Sequence, residues 1–261
     1  MIGSLDVGGT EKHLATVLPR LVGSGYEPVV ITLTHKGVLA ETLERAGIKV
    51  YQPHPWTRFM RRIPVLKMVL GPYSTLVYLI FMYARIPASL TCLYLPAAYH
   101  LGWVAALLNW EANRTVMFRR SLNNYQKQRP LISQLEHFLH KRQLAIVGNS
   151  RAVIQELISK EGIPEDKLTL IYNGIDVSKF GNQEKREETR QALGLGTDEI
   201  VLCIVANLIP YKGHTDLIDA LISIRDKVQR PWRLLCVGSG IEQREDLIRK
   251  VESGGLGSHV K

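Results

Sequence analysis

The stretch Ile200-Val201-Leu202-Cys203-Ile204-Val205-Ala206-Asn207-Leu208-Ile209-Pro210-Tyr211-Lys212-Gly213-His214-Thr215 decides the fold. It opens with a continuous apolar run rich in β-branched residues, which reads as a strand buried on both faces. A short loop with proline, lysine and glycine follows, and from Thr215 to Lys227 the apolar residues recur at helical spacing. Strand, loop and helix in that order form the repeating half of a βαβ unit.

The same alternation extends outward in both directions. Strands are expected at Val29–Leu33, Ile48–Gln52, Leu90–Leu95, Thr115–Phe118, Leu144–Ser150, Leu168–Asn173 and Trp232–Gly238, besides Ile200–Asn207. Helical patterns occupy Glu11–Val22, Gly37–Ala46, Arg151–Glu161 and Arg244–Glu252. Apolar strands alternating with helices imply parallel sheets covered on both faces. One doubly wound domain holds about six strands. The surplus, with an irregular charged interval at Gly181–Thr189, implies two Rossmann-like α/β domains, residues 1–168 and 169–261, joined somewhere in Leu168–Gly181.

Composition narrows the function classes. Of 261 residues, 46% are hydrophobic and 22% charged, as in a globular protein, so disorder is not indicated. Cys92, Cys203 and Cys236 each sit in an apolar run, are not spaced like zinc ligands, and read as small core residues in a reducing compartment. The formal charge of +9 implies an anionic partner. It is dense at Arg58, Arg61, Arg62 and Lys67, and again at Arg114, Arg119, Arg120, Lys127 and Arg129, but no nucleic-acid-binding motif accompanies it. The apolar segment Val65–Ala84 contains Lys67 and a Gly71-Pro72 break, so it reads as a buried or interface-lying helix rather than a membrane span.

In open parallel sheets ligands bind beyond the C-terminal strand ends. That rule points to Gly3–Glu11, Pro96–His100, Asn207–Gly213 and Gly238–Gly240. At Gly8-Gly9 the chain enters a helix whose free N–H groups and dipole favour an anion, and glycine permits close approach. Lys212 offers a mobile cation at a second such entry, beside Gly213, and Gly238-Ser239-Gly240 repeats the strand–glycine–helix design. Taken singly, each reads equally well as a turn or a solvated lysine. Together they suit a diphosphate held between two domains. No G-x-x-x-x-G-K-[ST] occurs, and no complete G-x-G-x-x-G follows a strand, which disfavours P-loop hydrolases and dehydrogenases.

Five motifs in order carry a family resemblance: Gly8-Gly9-Thr10-Glu11, Val147-Gly148-Asn149-Ser150, Asn173-Gly174-Ile175-Asp176, Tyr211-Lys212-Gly213-His214 and Val237-Gly238-Ser239-Gly240. The set resembles the family 4 retaining glycosyltransferases of the GT-B fold. That resemblance implies metal-independent transfer of a hexose-type sugar from a nucleotide diphosphate sugar, the co-substrate, to a glycan or lipid-linked acceptor, with no cofactor. It casts Lys212 as the catalytic neutraliser of the leaving phosphates and His100 as a weaker catalytic candidate. Gly8, Gly9, Asn207, Lys212, Gly213, Gly238 and Gly240 would bind the donor. Arg119, Arg120 and Asn123 would face the acceptor, with peripheral contact at the cytoplasmic face of a membrane.

Three departures qualify the match. Asn207 stands where the family carries an arginine, and His100 is displaced from the usual histidine position. No two glutamates lie eight positions apart, so the family's E-x7-E pair is missing. The expectation is therefore an incomplete second domain and weak or no transferase activity for residues 1–261. The rivals are a non-catalytic nucleotide-sugar-binding module and a non-hydrolysing sugar-nucleotide epimerase, the latter disfavoured by the K-G and N-G-[IV]-D motifs.

Overall fold

The computed structural model describes the chain apart from residues 55–63, 123–129, 180–183 and 241–242, and apart from the side chains of 64–70, 130–132, 179 and 184. It divides into Met1–Ile175 and Asp176–Lys261.

The first unit is built on parallel strands. Strands β1 (Val29–Ile31) and β2 (Lys49–Tyr51) pair with each other. Strands β3 (Thr91–Tyr94), β4 (Thr115–Arg119), β5 (Ala145–Gly148) and β6 (Leu168–Leu170) form a second set in that spatial order. Met1 and Ile2 join the two sets. Ile2 N–H donates to Ile31 O at 3.1 Å, and Leu33 N–H to Ile2 O at 3.0 Å. On the other side Tyr94 N–H donates to Met1 O at 2.9 Å, and the Met1 amino group to Cys92 O at 2.6 Å. Burial there pushes that amino group down to about 6. The order is thus β2, β1, Met1–Ile2, β3, β4, β5, β6, with the chain reversing direction of travel at Met1–Ile2. That reversal is the topological switch point, where loops diverge and leave a crevice.

Helix α1 (Gly9–Val22) follows the first loop, and α2 (Ala40–Arg45) lies between β1 and β2. Helix α3 (Pro64–Arg85) runs unbroken through Gly71-Pro72, where the sequence suggested an interruption. Ser74 Oγ and Thr75 Oγ1 donate to Gly71 O at 3.0 and 2.9 Å, and Thr75, Leu79, Met82 and Tyr83 bury one face. That packing holds the helix across a proline that alone costs about 3 kcal/mol. A π-helical turn (Ala98–Gly102) leads into α4 (Trp103–Leu108), then come α5 (Pro130–His140) and α6 (Arg151–Glu161). Helix α6 is capped by Ser150 Oγ accepting from Val153 N–H and stops at Gly162 in the left-handed region. Among the described residues, no helix is long and apolar enough to cross a membrane.

Strand β6 lies beside β5 (Ile146 opposite Leu168), so it belongs to the first sheet rather than beginning the second. The units part between Ile175 and Asp176, within the interval Leu168–Gly181 in which the sequence places the junction.

In the second unit α7 (Glu184–Ala192) occupies the interval that read as irregular. Strands β7 (Ile200–Val205) and β8 (Trp232–Val237) pair in parallel through six registered residues. Val260 bridges to Leu234 on the far side of β8. Helices α8 (His214–Ile224) and α9 (Arg244–Ser253) cover one face, burying Ile218, Leu221, Trp232, Leu234, Val251 and Leu256. The other face is not covered as expected: Val205 is 75% exposed and Cys203 is exposed rather than core. Helix α7, with the sequence EKREETRQA, has no apolar stripe with which to cover it.

Candidate functional site

In the first unit the strand ends converge on a crevice beside the start of α1. The loop before α1 is pinned from below. Leu5 N–H donates to Lys36 O and Leu39 N–H to Leu5 O, both at 2.9 Å. Gly37, at φ +79°, lets Leu5 pass, because a Cβ there would sit 2.6 Å from Leu5 O. His35 Nε2 and Asp6 Oδ2 close the outer side at 2.8 Å. Gly8 is the extended N-cap of α1 and supplies no side-chain cap, so the first-turn N–H groups have no side chain to bond. The Glu11 carboxylate folds back over Gly8, and nothing crowds Gly9.

The opposite wall comes from β4 and β5. Phe118 stacks on Tyr94 at 4.5 Å between centroids. Arg119 and Arg120 follow, and strand alternation sends them opposite ways. Arg119 is only 3% exposed, and its guanidinium is engaged inside the unit. Its Nε–H donates to Ser121 O at 3.0 Å, and its guanidinium lies 3.6 Å from Glu161. Glu161 also bonds His140 Nδ1. Burial, the largest influence on Glu161, works against its charge. The bond to His140 and the charges of His140 and Arg119 outweigh it and hold the carboxyl below its ordinary value.

Arg120 lines, with His13, Phe118, Arg119, Asn149 and Ile171, a narrow cleft of about 20 Å³. Asn149 Nδ2 donates to Arg120 O at 3.3 Å and fixes the wall's main chain. His13 faces this cleft from α1, and burial first, then the charge of Arg120, lowers its pKa. Sequence reasoning missed His13, and Asn149 stood in a quoted motif without being assigned a role. A larger open hollow beside Pro87, Ala88, Ser89 and Arg114 lies at the N-terminal strand ends and carries none of the expected residues.

His100 lies in the π-helical turn after β3. Its Nε2 meets Glu136 Oε1, from α5, at 2.7 Å, and Glu136 is fully buried. The neighbouring Tyr99 hydroxyl donates to Phe118 O at 2.6 Å. Leu95, just before that turn, adopts φ +72°, a left-handed conformation costly for a leucine. His100 thus anchors α5 with a partly exposed ring. Asn123 lies outside the described residues, as do Arg58, Arg61, Arg62, Lys127, Arg129 and the side chain of Lys67.

In the second unit the expected donor residues gather at the ends of β7 and β8. Leu208 N–H donates to Ser239 O at 2.9 Å, and Ser239 Oγ to Asn207 Oδ1 at 3.4 Å. Gly238 and Gly240 have a structural reason of their own. A Cβ on Gly238 would stand 2.7 Å from the Ala206 carbonyl carbon, and one on Gly240 2.8 Å from Leu208 O. The paired loops lead into a single helical turn, Pro210–Lys212. The Lys212 side chain is exposed at its end, with no hydrogen bond or ion pair among the described residues and its Nζ 5.2 Å from the Tyr211 ring centroid. Gly213, at φ +79°, is the N-cap of α8 and supplies no side-chain bond. His214 behind it is buried with neither ring nitrogen bonded. A cation, an uncapped helix start and exposed loop backbone suit an anion. No group of three or more His, Cys, Asp or Glu is placed to hold a metal among the described residues.

Comparison with known proteins gives the family and the fold. An uncharacterised glycosyltransferase, MJ1607, of Methanocaldococcus jannaschii is 25% identical over 248 residues, covering 90% of this chain and 60% of that protein. A GDP-mannose-dependent alpha-(1-6)-phosphatidylinositol monomannoside mannosyltransferase of Mycolicibacterium smegmatis is 32% identical over 98 residues, 37% of this chain and 25% of the relative. The fold superposes on Anabaena Alr3699/HepE, solved with UDP-glucose, with a TM-score of 0.73 at 20% identity, over all of this chain and 67% of that one. The chain thus spans about 60% of the length of the MJ1607 relative. Residues 185–261 match the Glycosyl transferases group 1 family. Residues 7–179 match Glycosyltransferase Family 4, and the chain belongs to that family.

Proposed function

We propose that the chain supplies the acceptor side and the diphosphate-binding loops of a retaining glycosyltransferase that moves a hexose-type sugar from a nucleotide diphosphate sugar to a glycan or lipid-linked acceptor. The observation that carries this reading is the Lys212 ammonium, exposed and with no hydrogen bond or ion pair among the described residues, at the uncapped start of α8, held by two loops that pack backbone against backbone. Lys212 neutralises the leaving diphosphate, and the N–H groups after Gly213 donate to its oxygens, so no metal is needed. Gly8 and Gly9 let the first unit's loop approach the donor, and Arg120 faces the acceptor.

Calorimetric titration of residues 1–261 with UDP-glucose and GDP-mannose tests the donor half. These donors appear in the names of a similar structure and a relative. Saturable binding of either supports the reading; binding of neither, nor of UDP or GDP, rejects it.

A second reading has one observation in its favour. Asn207 is uncharged and serves the loop pair through Ser239, so the unit has one phosphate cation fewer than the family pattern. A non-catalytic nucleotide-sugar-binding module would bind donor but release no nucleotide when acceptors are supplied.

Peripheral membrane contact at the cytoplasmic face belongs to the same proposal. Tyr73, Val77 and Phe81 lie four residues apart on α3 and are exposed, with Arg85 over Phe81 at 5.9 Å. An apolar outer stripe with aromatic ends suits an interface. Absence of co-sedimentation with anionic vesicles at low salt would remove that part.

A further inference from the structure

Tyr211 is 76% exposed, next to Lys212 on the single helical turn that leads into α8. No core holds a tyrosine so exposed. Its place is set by the main chain of the turn instead. Pro210 opens that turn, Lys212 N–H donates to Ile209 O at 3.0 Å, and Gly213 N–H donates to Pro210 O at 3.3 Å. From this fixed base the Lys212 ammonium lies 5.2 Å from the Tyr211 ring centroid, within reach of a cation–π contact. An acid is close by. Asp216, exposed in the first turn of α8, has Oδ2 3.7 Å from where a Cβ on Gly213 would stand. Lys212 nonetheless makes no ion pair among the described residues, and the aromatic ring is what its charge meets. A lysine free in solvent loses the rotamer entropy of a long side chain when a ligand orders it. A ring with two χ angles, already mounted on a fixed turn, takes up part of that loss in advance.

We propose that Tyr211 is a positioning residue of the diphosphate site, whose ring holds the Lys212 ammonium at the start of α8 before the anion arrives. The inference rests on the Lys212 reading above and adds to it a residue that acts on the phosphates only through the lysine. An ammonium has three N–H donors, so it can meet phosphate oxygens on one side while the ring stays against another. The contact uses the ring face and not the hydroxyl. Phenylalanine can therefore replace Tyr211, and leucine cannot.

UDP and GDP are titrated calorimetrically into chain 1–261 and into Y211F, Y211L, K212M and the double variant Y211L/K212M, while NMR follows the Lys212 ε-methylene. The ring current should shift that methylene upfield in the unaltered chain and in Y211F, and the shift should vanish in Y211L. Y211L is expected to raise the Kd of the bound nucleotide about two- to five-fold, the range of an exposed cation–π contact. Y211F should bind as the unaltered chain does, and all the variants should melt together with it. In the K212M background Y211L should change nothing, because no ammonium is left for the ring to hold. K212M binding as tightly as the unaltered chain would remove the Lys212 reading and this inference with it. With K212M weakened, the inference alone is overturned by any of three results: Y211L binding like the unaltered chain, Y211L weakening K212M further, or an unshifted ε-methylene in the unaltered chain.

Discussion

Gly238 lies so close to Ala206 that a Cβ added to it would stand 2.7 Å from the Ala206 carbonyl carbon and nearer still to its oxygen. Both sides of that approach are backbone, so no side chain can swing away. Gly238→Ala is expected to force β7 and β8 apart at their C-terminal ends and cost about 3 kcal/mol, the upper part of the usual overpacking range. Urea unfolding followed at Trp232, which lies in the same core, reads this directly. An unchanged midpoint would mean the two loops are not packed against each other.

Gly9 is the contrasting case. It is the first residue of α1, has no positive φ, and a Cβ there meets nothing within 4 Å. Gly9→Ala is expected to leave stability unchanged or raise it by about 0.4–1 kcal/mol, through a less flexible unfolded chain. If the glycine serves close approach of a donor, the same variant weakens nucleotide-sugar binding in calorimetry while melting no earlier. Unchanged binding in a stable variant removes Gly9 from the donor site.

Glu161 binds Arg119 and His140 inside the first unit, and all three are buried. Glu161→Gln leaves two buried bases without a counter-charge and is expected to cost about 3–5 kcal/mol at pH 7. The folded carboxyl titrates below its ordinary value. Its contribution is therefore complete above the unfolded value, about 4.3, and fades as pH falls through the folded one. Unfolding free energies measured from pH 7 down to 3 should fall more steeply for the unaltered chain than for Glu161→Gln. Parallel profiles would show that Glu161 does not carry the acid sensitivity.

The strands were legible because their signal is local. Runs such as Ala145–Gly148 and Ile200–Val205 are apolar enough to need no context. Helix α7 was not, since EKREETRQA has no stripe to read and is held by Arg190, which donates to the carbonyls of Gly196 and Glu199. Pro72 was given too much weight, because packing along Thr75, Leu79 and Met82 decides the path of α3. The site divides the same way. The glycine loops and Lys212 could be found, for each lies between a readable strand and a readable helix. Arg119 and Arg120 read as one basic patch, although period-two alternation along β4 already implied that one of them turns inward. His13 carried no signal at all, because its approach to Arg120 exists only after the sheet has formed.

Lys212 separates binding from folding most cleanly. Its side chain is exposed and, among the described residues, lacks a hydrogen bond or ion pair, so Lys212→Met removes no contact that holds the second unit. The melting temperature should stay within a degree or so, since unpartnered surface substitutions usually change stability by less than about 0.5 kcal/mol. If the ammonium meets the donor diphosphate, affinity for a nucleoside diphosphate falls by about one charge-assisted bond, roughly 1.5–3 kcal/mol, or ten- to more than a hundred-fold in Kd. Lys212→Arg should recover part of that loss, because the charge is kept while the reach changes. Equal Kd values for the unaltered chain and Lys212→Met would place the diphosphate elsewhere, whatever the family pattern implies.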